Sequence, residues 1–241
     1  MRIRYNLNSK TLHLQILKKF IKIPLSIKSA QSIKQEIKNY SILTYDLCFK
    51  NYILPYKSLL FILITEKKVE LNILDSNKFL KEYYKNLIKY SSTKIDTIEN
   101  LINLNQVEKF LKENLDQVSD IFFKFKKGNK VKTSPGHGDL YYKNILTQNN
   151  IYYIIDWPLY DKYYTFNFDL INYKIFSSKY YKNNWYQFLK KNKKFFLKFI
   201  EDKYLKVFVL IKVNNELRFT KLNKVKIEKY KFILRDLFSN F

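Results

Sequence analysis

The sequence predicts an α+β chain in two parts, a small β-rich N-terminal part and a larger, mainly helical one with a β insert. Three observations predict it. Residues 1–26 alternate apolar and polar side chains at the period of a strand. Residues 70–127, and again 168 to the end, follow a helical period. Between those helical blocks, eleven residues, "SPGHGDLYYKN" (Ser134–Asn144), hold two of the chain's three glycines, one of its four prolines and one of its two histidines.

"IRYNL", "LHLQIL" and "FIKIPL" read as short strands separated by turn-like polar residues. "SAQSIKQEIKNYSIL" reads as a helix, capped by Ser29 or Ser32, with Ile33, Ile37 and Leu43 as a partial apolar face. "SLLFILIT" (58–65) is a short apolar run with polar flanks, which predicts one buried strand. "DSNKFLKEYYKNLIKY" and "NQVEKFLKENLDQVSDIFFKF" each predict a helix. In "YLKVFVLIKV" (204–213) the β-branched residues favour a strand and the helical surroundings favour a helix.

Composition narrows the class. With 241 residues the chain can bury a real core. Cys48 is the only cysteine, so no internal disulfide forms, which fits a reducing compartment. The start "MRIRYNLNSK" lacks the apolar run of a signal peptide, and no segment approaches the ~18 apolar residues of a membrane span. The expectation is a soluble, cytoplasmic protein. The net charge of +24 invites a nucleic-acid reading. Against it, the lysines are spread along the whole chain and only Arg2, Arg4, Arg218 and Arg235 offer the bidentate donors that suit bases and phosphates. No specific nucleic-acid partner is expected. Contact with an anionic membrane face is the other use of such charge.

The chemistry concentrates after the glycines. "NIL" and "IYYII" are strand-like, and "TQNN" between them signals a turn. If Asn149 and Asn150 form a two-residue hairpin loop, Ile145 pairs with Ile154 and Asn144 with Ile155. Asn144 then lies beside Asp156 where the hairpin opens. Asp139, five residues before Asn144, sits in a loop that can turn back over the same spot. Two carboxylates and an amide oxygen of this kind suit Mg²⁺. Asp156 and Asn144 can ligate, while Asp139 can accept a proton or orient a hydroxyl. Gly136 and Gly138 let the backbone turn tightly around His137.

"HGDLYYKNIL" followed by "IYYIIDW" resembles the aminoglycoside phosphotransferase / choline kinase family, whose fold is similar to that of protein kinases. The protein-kinase catalytic loop is the related H-R-D-x-x-x-x-N with D-F-G downstream. Here Gly138 stands in place of the arginine and "DWP" in place of D-F-G. The resemblance implies a protein-kinase-like two-lobe fold: a shortened β-rich nucleotide-binding lobe over 1–66, and a mainly helical catalytic and substrate-binding lobe over 67–241. It implies ATP and Mg²⁺, and a small-molecule hydroxyl as phosphate acceptor. Asp139 looks like the catalytic base, His137 like the buried histidine that braces its loop, and Asn144 and Asp156 like the metal ligands. Asp169 in "FNFDLINY" matches an aspartate that supports the catalytic loop.

The same resemblance calls for a lysine on the α- and β-phosphates and a helix glutamate to hold it. Lys22 in "FIKIPLS" and Glu36 in "SIKQEIKNYSIL" are the candidates, and residues Ile64 to Lys67 the linker where an adenine would meet backbone groups. The chain departs from the pattern in having no glycine before Gly128, so "NLNSKT" (6–11) would serve as the phosphate-covering turn. It departs again at "YYK" (141–143), where Tyr141 and Tyr142 either line the acceptor pocket or pack. The glycine-free N-lobe motivates a second reading, a non-catalytic binding module; a basic nucleic-acid binder is a third. Few acids lie near the site, which tilts the acceptor away from polycationic antibiotics toward a sugar or an amino alcohol such as choline or ethanolamine.

Overall fold

The N-terminal alternation folds into an antiparallel sheet of β1 (Arg2–Asn6), β2 (Thr11–Ile16), β3 (Lys19–Pro24), β4 (Tyr56–Leu59) and β5 (Ile62–Glu66), in the order β1-β2-β3-β5-β4. The computed structural model describes residues 2–7, 10–66, 69–70, 76–90, 93–178, 184–219 and 222–239. Asn8 and Ser9 of the expected phosphate-covering turn, Lys67 of the expected linker and Asp75 at the head of an expected helix lie outside the described residues.

Helix α1 (Ile27–Leu43) packs on β3 and β5. Its cap is Ser26, not Ser29 or Ser32: Ser26 is extended, its hydroxyl accepts from the Ser29 amide, and the Ser29 hydroxyl accepts in turn from the Ser26 amide. In this reciprocal box Ser29 takes the place more often held by Glu or Gln three residues after the cap. The helix buries Ser29, Ile33, Glu36, Asn39, Tyr40 and Leu43, so a glutamate sits among the apolar and polar side chains of its buried stripe.

"SLLFILIT" is not one strand. It folds back at Leu60, which takes φ 52°, and gives the hairpin of β4 and β5. Leu60 is 84% exposed. An L-residue with a bulky side chain is strained by ~1–2 kcal/mol in this region. Leu60→Gly is therefore expected to raise the unfolding free energy by up to ~1 kcal/mol, read by urea denaturation; a loss of stability would mean that the leucine side chain holds the turn.

The chain divides into two compact units. One comprises Met1–Ser91 with His137–Tyr160, the other Ser92–Gly136 with Asp161–Phe241. This division differs from the lobe boundary expected after residue 66, because His137–Tyr160 packs with the N-terminal residues. In the first unit, α2 (Ser76–Tyr90) accompanies the N-terminal sheet, and β6 (Val69–Glu70), β9 (Ile145–Gln148) and β10 (Ile151–Ile154) form a second sheet in the order β10-β9-β6. Phe49, Tyr52, Phe79, Tyr83, Tyr152 and Trp157 pack there ring against ring.

The second unit has the sheet β11-β8-β7, from β7 (Lys94–Thr97), β8 (Lys130–Gly136) and β11 (Asp161–Thr165). Around it lie α3 (Ile98–Leu101), α4 (Asn105–Asn114), α5 (Asp116–Gly128), α6 (Phe168–Phe176), α7 (Trp185–Lys191), α8 (Lys193–Phe196), α9 (Asp202–Phe219) and α10 (Lys224–Ser239). The single helix expected over 105–125 is broken at Leu115 (φ −153°, ψ 62°). The ambiguous run 204–213 is helical within α9. Leu205, Val207, Phe208, Val209, Leu210, Ile211 and Val213 are all buried, so apolar side chains cover most of the helix over this run, which belongs to this unit's core. Among the described residues, no helix is long and apolar enough to cross a membrane.

Candidate active site

Lys22 lies on β3 between Ile21 and Ile23 and points to the opposite side from both. It is the buried residue of that strand, and it meets Glu36 on the buried stripe of α1. The ammonium donates to Glu36 Oε1 at 3.0 Å and Oε2 at 3.1 Å, and to Asp156 Oδ1 from a residue 134 positions away. Burial works against the Lys22 ammonium, but the carboxylates of Asp156 and Glu36 outweigh it and hold the group above its ordinary pKa. Burial also raises the Glu36 carboxyl, which Lys22 does not fully offset. Burial would raise Asp156 too, yet the Lys22 ammonium prevails and keeps its carboxyl below the usual range. The Asp156 side chain remains 44% exposed, against 4% for Glu36.

Asp156 owes its place to the β9–β10 hairpin. Asn149 and Asn150 take φ of 52° and 61°, the two left-handed residues of a tight hairpin turn. Ile145 faces Ile154, and one step further the Ile155 amide donates to the Asn144 carbonyl at 2.9 Å. The expected pairing is thus the observed one. Asp156 follows at φ 61°, a conformation aspartate tolerates better than most residues.

The Asp139 loop is tied to the mouth of this hairpin. Asn144 Nδ2 donates to the Asp139 carbonyl at 2.9 Å, which turns the amide oxygen the other way. His137 is fully buried. Its Nδ1 accepts from the Asp139 amide at 3.2 Å and its Nε2 donates to the Ile155 carbonyl at 2.8 Å. The imidazole therefore bridges the loop that carries Asp139 to the strand that leads into Asp156. Trp157 packs edge-on against it at 4.6 Å and anchors its own indole N–H to the Ile154 carbonyl.

Of the six residues singled out, Lys22, Glu36 and Asp156 form one ion-paired group, and His137, Asp139 and Asn144 form a backbone-linked loop joined to the same hairpin. Asn39 was missed. It lies three residues after Glu36 on α1, is buried, and its Nδ2 donates to the Trp157 carbonyl at 2.6 Å. Its helical spacing from Glu36 was the available signal. Asp169 lies in the other unit, beside Gly136. A β-carbon on that glycine would fall 2.9 Å from Tyr164 Cδ2 and 3.2 Å from Asp169 Oδ2. Glycine is needed at 136 for this close approach.

Asp156 and Asn144 offer a carboxylate and an amide oxygen, hard donors that fit Mg²⁺. Among the described residues, no group of three or more His, Cys, Asp or Glu side chains is placed to hold a metal ion.

The whole chain aligns with solved kinase structures. Choline kinase LicA from Streptococcus pneumoniae superposes with a TM-score of 0.54 at 13% identity, over 98% of this chain and 93% of that one. A choline/ethanolamine kinase family protein from Mesorhizobium loti gives 0.53 at 11% identity, over 100% and 89%. The fold is that of the choline kinases and aminoglycoside phosphotransferases. Wild-type aminoglycoside 2'-phosphotransferase-IIIa, in its GDP complex, likewise gives 0.53 at 13% identity, over 96% and 90%. No protein-family model matches the sequence, and no curated protein matches it. The likeness to these structures is one of fold, at identities of 11–13%.

Proposed function

We propose that the chain is an ATP- and Mg²⁺-dependent phosphotransferase acting on a hydroxyl of a small molecule. The observation that carries this reading is the Lys22–Glu36–Asp156 group, which joins a strand, a helix and a hairpin mouth far apart in sequence. Burying a lysine between two carboxylates carries a desolvation penalty, and charged groups held in this way concentrate at functional sites.

In this reading Lys22 holds the inner phosphates of ATP, and Glu36 keeps its ammonium aimed. Asp156 and Asn144 would hold Mg²⁺, which when bound offsets charge on the phosphate oxygens. Asp139 orients the acceptor and takes its proton as the acceptor oxygen bonds to the γ-phosphorus and the bond to the β-phosphate oxygen breaks. His137 carries no proton in the step. It positions Asp139 through the backbone. The named relatives act on choline, ethanolamine or aminoglycosides, and a sugar or amino alcohol remains the acceptor class this chain fits best.

The test is a transfer screen of the full chain with ATP or GTP, Mg²⁺, and choline, ethanolamine, hexoses and aminoglycosides, read by mass and ³¹P NMR. A phosphomonoester that vanishes with chelator and in Asp139→Ala is the expected result. Nucleotide binding without transfer to any acceptor or to water would favour the non-catalytic module, which the absence of glycine before Gly128 also motivates.

A further inference from the structure

We infer that Arg4 and His13 are phosphate-binding residues, forming with Lys22 a cationic row on one face of the N-terminal sheet that replaces the backbone amides of a glycine-rich loop. The inference rests on the nucleotide-binding reading above and names how this chain carries it out.

The strand register makes the row. Arg4 lies directly opposite His13, and His13 directly opposite Lys22. Residues facing each other across an antiparallel pair project to the same side, with β-carbons about 5 Å apart, so the three basic side chains line up over about 10 Å. Lys22 fixes which side this is, because its ammonium reaches Glu36 and Asp156. The edge contact of His13 on Phe20, with ring centroids 5.3 Å apart, agrees, since Phe20 and Lys22 share a face of β3. Ile3 and Tyr5 alternate to the other side of β1.

Burial lowers the His13 imidazole; the Lys22 charge adds to that lowering, Asp156 opposes it, and Arg4 adds again. The neutral imidazole stands between Arg4 and Lys22 in the register, so a phosphate chain laid along the row would meet a cation at each end and an N–H donor between them. The need for it is visible in the sequence. No glycine precedes Gly128, so the sequence offers no glycine-rich stretch between β1 and β2 whose backbone could approach a phosphate without a β-carbon. A guanidinium supplies paired donors at longer reach, and a neutral imidazole supplies one N–H.

The experiment titrates the full chain with Mg·ATP, Mg·ADP, adenosine and inorganic tripolyphosphate by calorimetry, for wild type, Arg4→Gln, His13→Gln and Lys22→Gln. Arg4→Gln and His13→Gln are each expected to weaken ATP and tripolyphosphate about 10-fold, ADP less, and adenosine not at all. Arg4 is exposed, so its variant keeps the fold, and a thermal melt verifies this for both. ATP affinity unchanged in both variants, with Lys22→Gln impaired, overturns the row while the kinase reading stands. Equal losses for ATP and adenosine overturn it as well, since they report a damaged sheet. A wild type that binds neither ATP nor tripolyphosphate overturns both.

Discussion

Replacing Asp156 with alanine is expected to cut phosphoryl transfer by about 10³-fold and leave the chain folded. The loss follows from removing the only half-exposed carboxylate of the ion-paired group, the one able to turn from Lys22 to a metal. A fixed charge aimed at developing phosphate charge is worth on the order of 10²–10³ in turnover. The fold survives because Lys22 keeps Glu36 as its partner. Alanine at φ 61° costs ~1 kcal/mol, so Asp156→Asn is the matched control. It keeps the left-handed tolerance and loses the ligand charge. Both variants are expected to lose transfer and the ion pair with Lys22, and alanine to lose more stability than asparagine by the cost of its left-handed backbone. Single-turnover transfer and urea denaturation separate the two, and near-normal turnover in either variant would remove Asp156 from the metal site.

Lys22→Met is expected to cost both nucleotide affinity and ~3–5 kcal/mol of stability. It leaves Glu36, a nearly inaccessible carboxylate on α1, without its counter-ion. Burial already raises the Glu36 carboxyl, and losing Lys22 removes the main influence that lowers it. A carboxyl whose folded pKa lies above its unfolded value contributes stability at pH below the unfolded value, and that contribution is lost as pH rises through the folded one. The Lys22→Met defect is thus expected to be smallest near pH 4 and to grow toward pH 8. Adding Glu36→Leu should recover much of the stability and none of the ATP binding. Denaturation at pH 5 and 8 tests this. A defect that shrinks with rising pH would mean that Glu36 is not the stranded charge.

The hairpin at the centre of the site was legible because its information is local. Two asparagines tolerate the left-handed turn that a two-residue loop demands, and that turn sets Ile145 against Ile154 and brings Asn144 to Ile155. Lys22 was legible for a similar reason, as a charge out of phase with the isoleucines beside it. Other segments were not. "SLLFILIT" contains no turn residue, and its fold-back at Leu60 answers to β5 pairing with β3 rather than to any local preference. β7 exists because β8 runs beside it. The β-branched run of α9 is helical because the second unit's core surrounds it.

By itself, then, the sequence determined the α+β order, the β9–β10 turn and the rare His-Gly-Asp loop, since each depends on dihedral preferences and side-chain alternation within a few residues. Only the tertiary structure decided that Lys22 is shared between Glu36 and Asp156, that Arg4, His13 and Lys22 stand in one row, and that His137–Tyr160 packs with the N-terminal residues. Those are matters of strand register and of which buried charge finds which partner. Their energies arise between segments distant in the chain, where no local pattern records them.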